Sequence, residues 1–198
     1  MAAMDRREFF RRAGGGASLA ALSTSALSFQ NVNFAAGRTQ LILLGQGDLP
    51  AAVALARRVE EAFHGAGLRT AVLLPGRSEL RRIDSLDALL DHPPGTPLLG
   101  IMDDAAAVIF QAVAGSRGAH SLASAHHRSS SSATRHCCSA AGYPQPITWN
   151  GAGDDQAQHV GQFYLAALGE RTAPPASIRP AAAITAAEGA LASFLIRL

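Results

Sequence analysis

The sequence predicts an α/β domain with a doubly wound, mostly parallel sheet between two layers of helices. Three short apolar runs support this prediction, and each is followed by a turn signal or a helix cap: Leu41 to Leu44, Thr70 to Leu74 and Leu98 to Met102. Strands that are apolar along their whole length are typical of parallel sheets, because these are buried on both faces. Segments with helical periodicity separate the runs, and this alternation implies right-handed crossovers within one sheet.

The helices that follow the first and third runs have the clearest signals. Asp48 is the expected cap of the first helix, with Pro50 in its first turn, and Asp103 is the expected cap of the third. The inner face of the first helix should contain Leu49, Val53, Ala56, Val59 and Phe63, and that of the third Ala105, Val108, Ala112 and Val113. A weaker helix between them should carry Ile83, Leu86 and Leu90.

The second half of the chain gives weaker signals. We expect a fourth strand within Ala119 to Ala125, a helix that begins near Asp154 or Asp155, and a closing strand over Ser193 to Leu198. A four-serine run and several turn signals predict a polar, mobile loop at residues 126–153. Residues 38–198 are about the size of one ordinary domain, so we expect a single domain there.

The composition excludes several mechanisms. All 17 basic residues are arginine, so the chain has no lysine to form a Schiff base or to complete a phosphate-binding loop. Residues 1–12 hold four arginines and two acids, which leaves 13 of each in the remainder. A body without net charge argues against nucleic acid as a partner. No run of apolar residues is long enough for a transmembrane segment in the mature protein.

The N-terminus contains an arginine pair followed by two phenylalanines, at Arg6, Arg7, Phe9 and Phe10. This segment resembles the bacterial twin-arginine (Tat) export signal. It departs from the usual pattern at Asp5, where Ser or Thr is usual, at Phe10, where Leu is usual, and at Arg11, where Lys is usual. The resemblance implies a signal peptide and short linker at residues 1–37, a Tat translocon as partner, and a periplasmic or secreted protein that is exported already folded. The alternative is a cytosolic amphipathic helix that contains the pair by chance.

Two loops are candidates for ligand binding. In Rossmann-like and flavodoxin-like sheets the ligand lies outside the carboxyl ends of the strands, where the strand order reverses. In a 2-1-3 strand order the loop Gly45, Gln46, Gly47 and Asp48 would face Asp103 and Asp104. The dinucleotide fingerprint fails because Pro50 stands where its third glycine belongs. The alternative interpretation is a tight turn in the first loop and a helix cap with a solvated neighbour in the second.

The stretch from residue 120 to residue 138 concentrates groups that can bind metals. It holds four of the seven histidines and both cysteines: His120, His126, His127, His136, Cys137 and Cys138. Imidazole and thiolate are ligands for zinc and copper, and His126 and His136 with one cysteine would form a site if the serine-rich loop folded back. Adjacent cysteines are too close in the chain to bridge each other without strain. The alternative is a polar loop with small buried cysteines.

Three function classes therefore remain open. The first is a small-ligand-binding or accessory protein, which requires least of the residues. The second is a metal- or redox-handling protein that uses the histidine and cysteine stretch, and the third is an enzyme of unrecognised type. In the third case, changes at Asp103 or His120 should reduce turnover without unfolding.

Overall fold

The computed structural model describes residues 40–130, 134–141, 146–151, 155–169 and 189–198. The predicted signal peptide and its cleavage region lie outside these residues. Seven strands form one sheet in this part of the chain: β1 (Gln40–Gly45), β2 (Arg69–Leu73), β3 (Pro97–Met102), β4 (His120–Ser129), β5 (Thr134–Ala140), β6 (Ile147–Gly151) and β7 (Gly189–Arg197). The helices are α1 (Pro50–Gly65), α2 (Ile83–Leu89), α3 (Asp104–Ser116) and α4 (Asp155–Ala167), with a short 3-10 helix at Glu79–Arg81.

The sheet is mixed, with the strand order β2-β1-β3-β7-β4-β5-β6. The first three strands are parallel in the predicted 2-1-3 order, whereas β7, β4, β5 and β6 are all antiparallel to their neighbours. The prediction of a doubly wound, mostly parallel sheet is therefore wrong. Its cause is the direct β4–β5 hairpin and the antiparallel return of β7, since neither uses the helical crossover that a parallel pair needs.

Strands β5 and β6 lie within residues 126–153, for which the sequence predicted a polar loop. Parts of that segment, including Ser131 and Ser132, lie outside the described residues. The predicted closing strand corresponds to β7, which extends further toward the N-terminus than expected.

Each face of the sheet carries its own apolar core. One core lies under α1 and α4 and includes Leu43, Phe63, Leu99, Phe163 and Leu195. The other lies under α2 and α3 and includes Leu44, Leu86, Leu98, Phe110 and Phe194. The residues of β7 alternate between the two, as the period of two in a strand requires. We call the two sides the α1/α4 face and the α2/α3 face.

Helix α3 presents a different side to the core from the one predicted. Its buried residues are Ala106, Ala107, Phe110 and Ala114. Of the predicted inner face, only Val113 packs partly against the core, while Ala105, Val108 and Ala112 are exposed. Val108 is 68% exposed. The helix is apolar almost all round, so its periodicity did not distinguish the side that faces the sheet.

A close contact joins β3 to β7 on the α2/α3 face. Gly100 is the register partner of Phe194, and a Cβ atom at Gly100 would overlap the Phe194 ring. The Phe194 ring also packs against Phe110 of α3, with 5.5 Å between ring centroids.

Within the described part of the chain, no helix is both long and apolar enough to cross a membrane.

Candidate functional site

The loops after β1 and β3, predicted to bind a ligand, contact each other directly. Gln46 is buried, its backbone N–H donates to the Ile101 carbonyl at 3.0 Å, and its Oε1 accepts from the Asp103 backbone N–H at 3.0 Å. Gly47 lies so close to the next loop that a Cβ atom there would overlap the Leu74 carbonyl. Close packing of the two loops therefore explains the glycine at position 47.

Arg77, which the sequence analysis did not single out, joins both predicted loops. Its backbone N–H donates to Asp48 Oδ1 at 3.1 Å, and its Nη2 donates to Asp103 Oδ2 at 2.9 Å. Asp48 does not cap α1, whose N-cap is Leu49. The position of Arg77 after the Pro75-Gly76 turn at the end of β2 was the signal that could have identified it.

Asp103 is a helix cap, as the alternative interpretation held. Its Oδ1 accepts from the Ala106 backbone N–H at 2.8 Å. Partial burial raises the pKa of Asp103, but the hydrogen bonds from Ala106 and Arg77 outweigh burial and leave the pKa below its ordinary value. The neighbouring Asp104 is exposed, with Oδ1 3.7 Å from His126 Nδ1. These loop groups bond to one another, and ligand binding by them stays a prediction.

The histidine and cysteine stretch forms the β4–β5 hairpin, whose strands divide the predicted ligands between two faces. His127 pairs with His136 and Ala125 pairs with Cys138 across the hairpin, so these side chains share the α1/α4 face. His126 and its register partner Cys137 lie on the opposite face. The structure does not bring His126 and His136 together.

A buried chain of hydrogen bonds runs from α4 through β7 to the hairpin. Tyr164 OH lies 2.7 Å from Ser193 Oγ, and Ser193 Oγ lies 2.6 Å from His127 Nε2. His127 Nδ1 then lies 2.6 Å from His136 Nδ1, and the His136 ring stacks on Trp149. All five side chains are at most 4% exposed. These hydrogen bonds therefore connect the β4–β5 hairpin to α4 inside the core.

Burial shifts the acid–base behaviour of this face. Burial, reinforced by the His136 and His126 rings, lowers the pKa of His127 from 6.5 to about 3. Burial also raises the pKa of the Tyr164 hydroxyl and of the Cys138 thiol well above their ordinary values. These groups are neutral at physiological pH, and the buried imidazole at position 127 is not a cation.

On the α2/α3 face, the side chains of β4, β5 and β6 are polar. The core under α2 and α3 takes residues from β1, β3 and β7, but none from the described parts of β4, β5 or β6. We call the outward side chains of these three strands on this side the open face: Ser124, His126, Arg128, Arg135, Cys137, Ser139, Thr148 and Asn150. The His126 side chain is 64% exposed. The open face thus carries hydroxyl, imidazole, thiol, amide and guanidinium groups; His126, Arg128 and Ser139 are exposed and the other side chains are partly exposed.

Two arginines lie directly opposite each other on the open face. Arg128 on β4 is the register partner of Arg135 on β5. Like charges in this position repel, because opposite side chains on neighbouring strands have Cβ atoms about 5 Å apart. No carboxylate among the described residues forms an ion pair with either guanidinium. The sequence analysis missed this pair, since its two members are recognisable only once the hairpin register is known.

The predicted metal ligands are therefore dispersed. His120 lies exposed at the start of β4 opposite Arg197, and the others are split between the two faces. In the parts of the chain that the structure covers, no group of three or more histidine, cysteine or acidic side chains is arranged to hold a metal ion. Zinc or copper binding stays a prediction that the described geometry does not support.

No family model matches the chain, and neither a curated protein nor a solved structure shows significant similarity to it. Of the candidate regions, the open face holds an exposed arginine, Arg128, and a partly exposed one, Arg135, that have no carboxylate partner among the described residues.

Proposed function

We propose that the protein binds a small anionic ligand on the open face, with Arg128 and Arg135 as its principal contacts. One observation carries the proposal: Arg128 and Arg135 are register partners across β4 and β5, and neither has a carboxylate partner among the described residues. An anion between them would turn a repulsive pair into an attractive site.

The chemistry of the two arginines defines the ligand group. Guanidinium presents a planar fork of N–H donors that matches carboxylate, phosphate and sulfate groups. Two such forks on adjacent strands can hold one anionic group from both sides. Hydroxyls of Thr148 and Ser139 on the same face supply further donors and acceptors for the rest of the ligand.

Neighbouring carboxylates do not neutralise the positive charge of Arg128 and Arg135. The Asp104 carboxylate lies 3.7 Å from His126, in the row next to the arginine pair, and forms no ion pair with Arg128 or Arg135. The Asp103 carboxylate is taken by Arg77 and the α3 backbone. The attraction is local, because the body of the chain contains equal numbers of arginines and acids.

Calorimetric titration with inorganic phosphate, sulfate and succinate tests the proposal. We expect binding by the native protein and its loss in an Arg128→Gln, Arg135→Gln variant. Arg57→Gln on α1 is the matched control, because Arg57 is an exposed arginine far along the chain from the hairpin. Equal binding of all three anions by the native and the doubly substituted protein would refute the site.

The stability of the ligand-free variants gives an independent signature. Removing either guanidinium relieves like-charge repulsion across the strands, so Arg128→Gln or Arg135→Gln should leave the free energy of unfolding unchanged or raise it by up to about 1 kcal/mol. An arginine with a structural role would instead show a loss of stability. Denaturant unfolding without added anions measures the difference.

A further inference from the structure

We propose that Cys137 is a selective thiol that exchanges with anionic disulfides on the open face. The proposal rests on the anion site described above, because Arg128 and Arg135 hold the anionic end of the incoming disulfide. It adds a covalent reaction and a substrate class to that site.

Cys137 lies at the centre of the open face. It sits on β5, with His126 as its register partner on β4 and Thr148 as its partner on β6. The arginine pair is one row away, and residues two apart along a strand are separated by about 7 Å. A disulfide with a carboxylate two or three bonds from its sulfur can therefore contact the arginines and the Cys137 sulfur together.

The neighbouring Cys138 provides an internal comparison. Cys137 is partly exposed, whereas Cys138 is fully buried on the α1/α4 face. Burial raises the pKa of the Cys138 thiol far above its ordinary value, so Cys138 forms almost no thiolate. Two thiols that are adjacent in sequence thus differ in access to a disulfide reagent, which is one of the properties that govern exchange.

The reaction is a simple thiol–disulfide exchange. The Cys137 sulfur attacks one sulfur of the disulfide, and a new S–S bond forms as the original S–S bond breaks. The departing sulfur keeps the electron pair of the broken bond and takes up a proton equivalent to the one that Cys137 loses. Cys137 is oxidised to a mixed disulfide, and the released half of the reagent is reduced to a thiol.

The test compares three small disulfides of different charge. The reagents are 3,3′-dithiodipropionate, which is anionic, 2-hydroxyethyl disulfide, which is neutral, and cystamine, which is cationic. Rates are measured by intact mass, with the modified cysteine assigned by fragmentation, and are divided by the rates of free glutathione with the same reagents. We expect the anionic reagent to be favoured at least about tenfold over the neutral one, with Cys137 modified and Cys138 unmodified.

Two variants and one control variant identify the cause. Cys137→Ser should abolish the adduct, and Arg128→Gln, Arg135→Gln should remove the preference for the anionic reagent while Arg57→Gln retains it. Modification of Cys138 at a comparable rate, or equal normalised rates for the three reagents in the native protein, would overturn the inference. Phosphate or sulfate titration of the Cys137→Ser variant separates the two proposals. If this variant binds the anion but the native protein shows no selective exchange, the anion site stands and the reactive thiol at Cys137 is refuted.

Discussion

His127 occupies a buried core position that favours a neutral imidazole, because burial lowers the pKa of its ring to about 3. A neutral ring donates through one nitrogen and accepts through the other, so it can link Ser193 to His136 in either direction along the hydrogen-bond chain. A doubly protonated ring would have two donors and would place a charge among Tyr164, Ser193 and apolar side chains. The packing of the β4–β5 hairpin therefore depends on a neutral His127 side chain.

This coupling predicts that stability falls as the pH decreases from about 6.5 toward about 3. In this window the unfolded chain binds a proton at residue 127 that the folded chain excludes, because the folded pKa is lowered to about 3. The free energy of unfolding should decrease by up to about 1.4 kcal/mol per pH unit from this residue. Denaturant unfolding between pH 7 and pH 5 measures the slope, and Asp103 contributes only at lower pH.

The exposed His120 on the same strand supplies the control. His120→Gln should retain the slope and His127→Gln should reduce it. Imidazole nitrogen chemical shifts of the native protein decide the question even if His127→Gln does not fold. A His127 ring that is protonated at pH 5 in the folded protein would contradict the prediction.

The division of the histidine and cysteine stretch could not be read from residue identity. Adjacent residues in a strand point to opposite faces, so His126 and His127, and likewise Cys137 and Cys138, have opposite environments. The sequence analysis identified the residues but treated them as members of one loop. The functional separation appears only once the strand period is applied to them.

The strands that can be predicted most clearly from the sequence are those with apolar side chains on both faces of the sheet. β1 and β3 are buried along almost their entire length, so each appears in the sequence as a continuous apolar run. Strand β4 also follows a period of two, but its inward positions are Ala123, Ala125 and His127. Small and polar residues at buried positions hide the alternation, so the sequence predicted only the start of β4 and the closing strand, and β5 and β6 were missed.

The contact between β3 and β7 leaves no room for a side chain at Gly100. Gly100→Ala should destabilise the protein by about 1–3 kcal/mol, because the new methyl group overlaps the Phe194 ring, which Phe110 holds from the other side. Thermal or denaturant unfolding gives the change. In a Phe194→Leu background the cost of Gly100→Ala should be smaller, since the smaller side chain leaves room for the methyl group.

Gly115 in α3 is the matched control for this substitution. A Cβ atom at Gly115 meets no atom within 4 Å, and helices favour alanine over glycine. Gly115→Ala should therefore leave stability unchanged or raise it by up to about 1 kcal/mol. A similar loss of stability in both variants would show that the Phe194 contact is not the cause.

The whole molecule combines a parallel half and an antiparallel half in one sheet, and the two halves differ in what they leave exposed. In the parallel half, the loops at the strand ends are joined by Gln46, Arg77 and Asp103. In the antiparallel half, polar side chains of β4 to β6 lie on the open face. The site proposed here is thus on a sheet face, away from the strand-end crevice that a doubly wound fold would use.

Export through the twin-arginine translocon stays a prediction from Arg6 and Arg7, which lie outside the described residues. Changing both to Lys keeps the positive charge but removes the planar guanidinium groups, and lysine cannot reproduce their fork of donors. We expect the doubly substituted precursor to remain in the cytoplasm, as measured by fractionation and immunoblotting in a bacterium with an active translocon. Arg11→Lys, Arg12→Lys is the matched control and should be exported normally, because the signal pattern accepts lysine after the phenylalanines. Normal export of the Arg6→Lys, Arg7→Lys protein would show that the pair is not recognised.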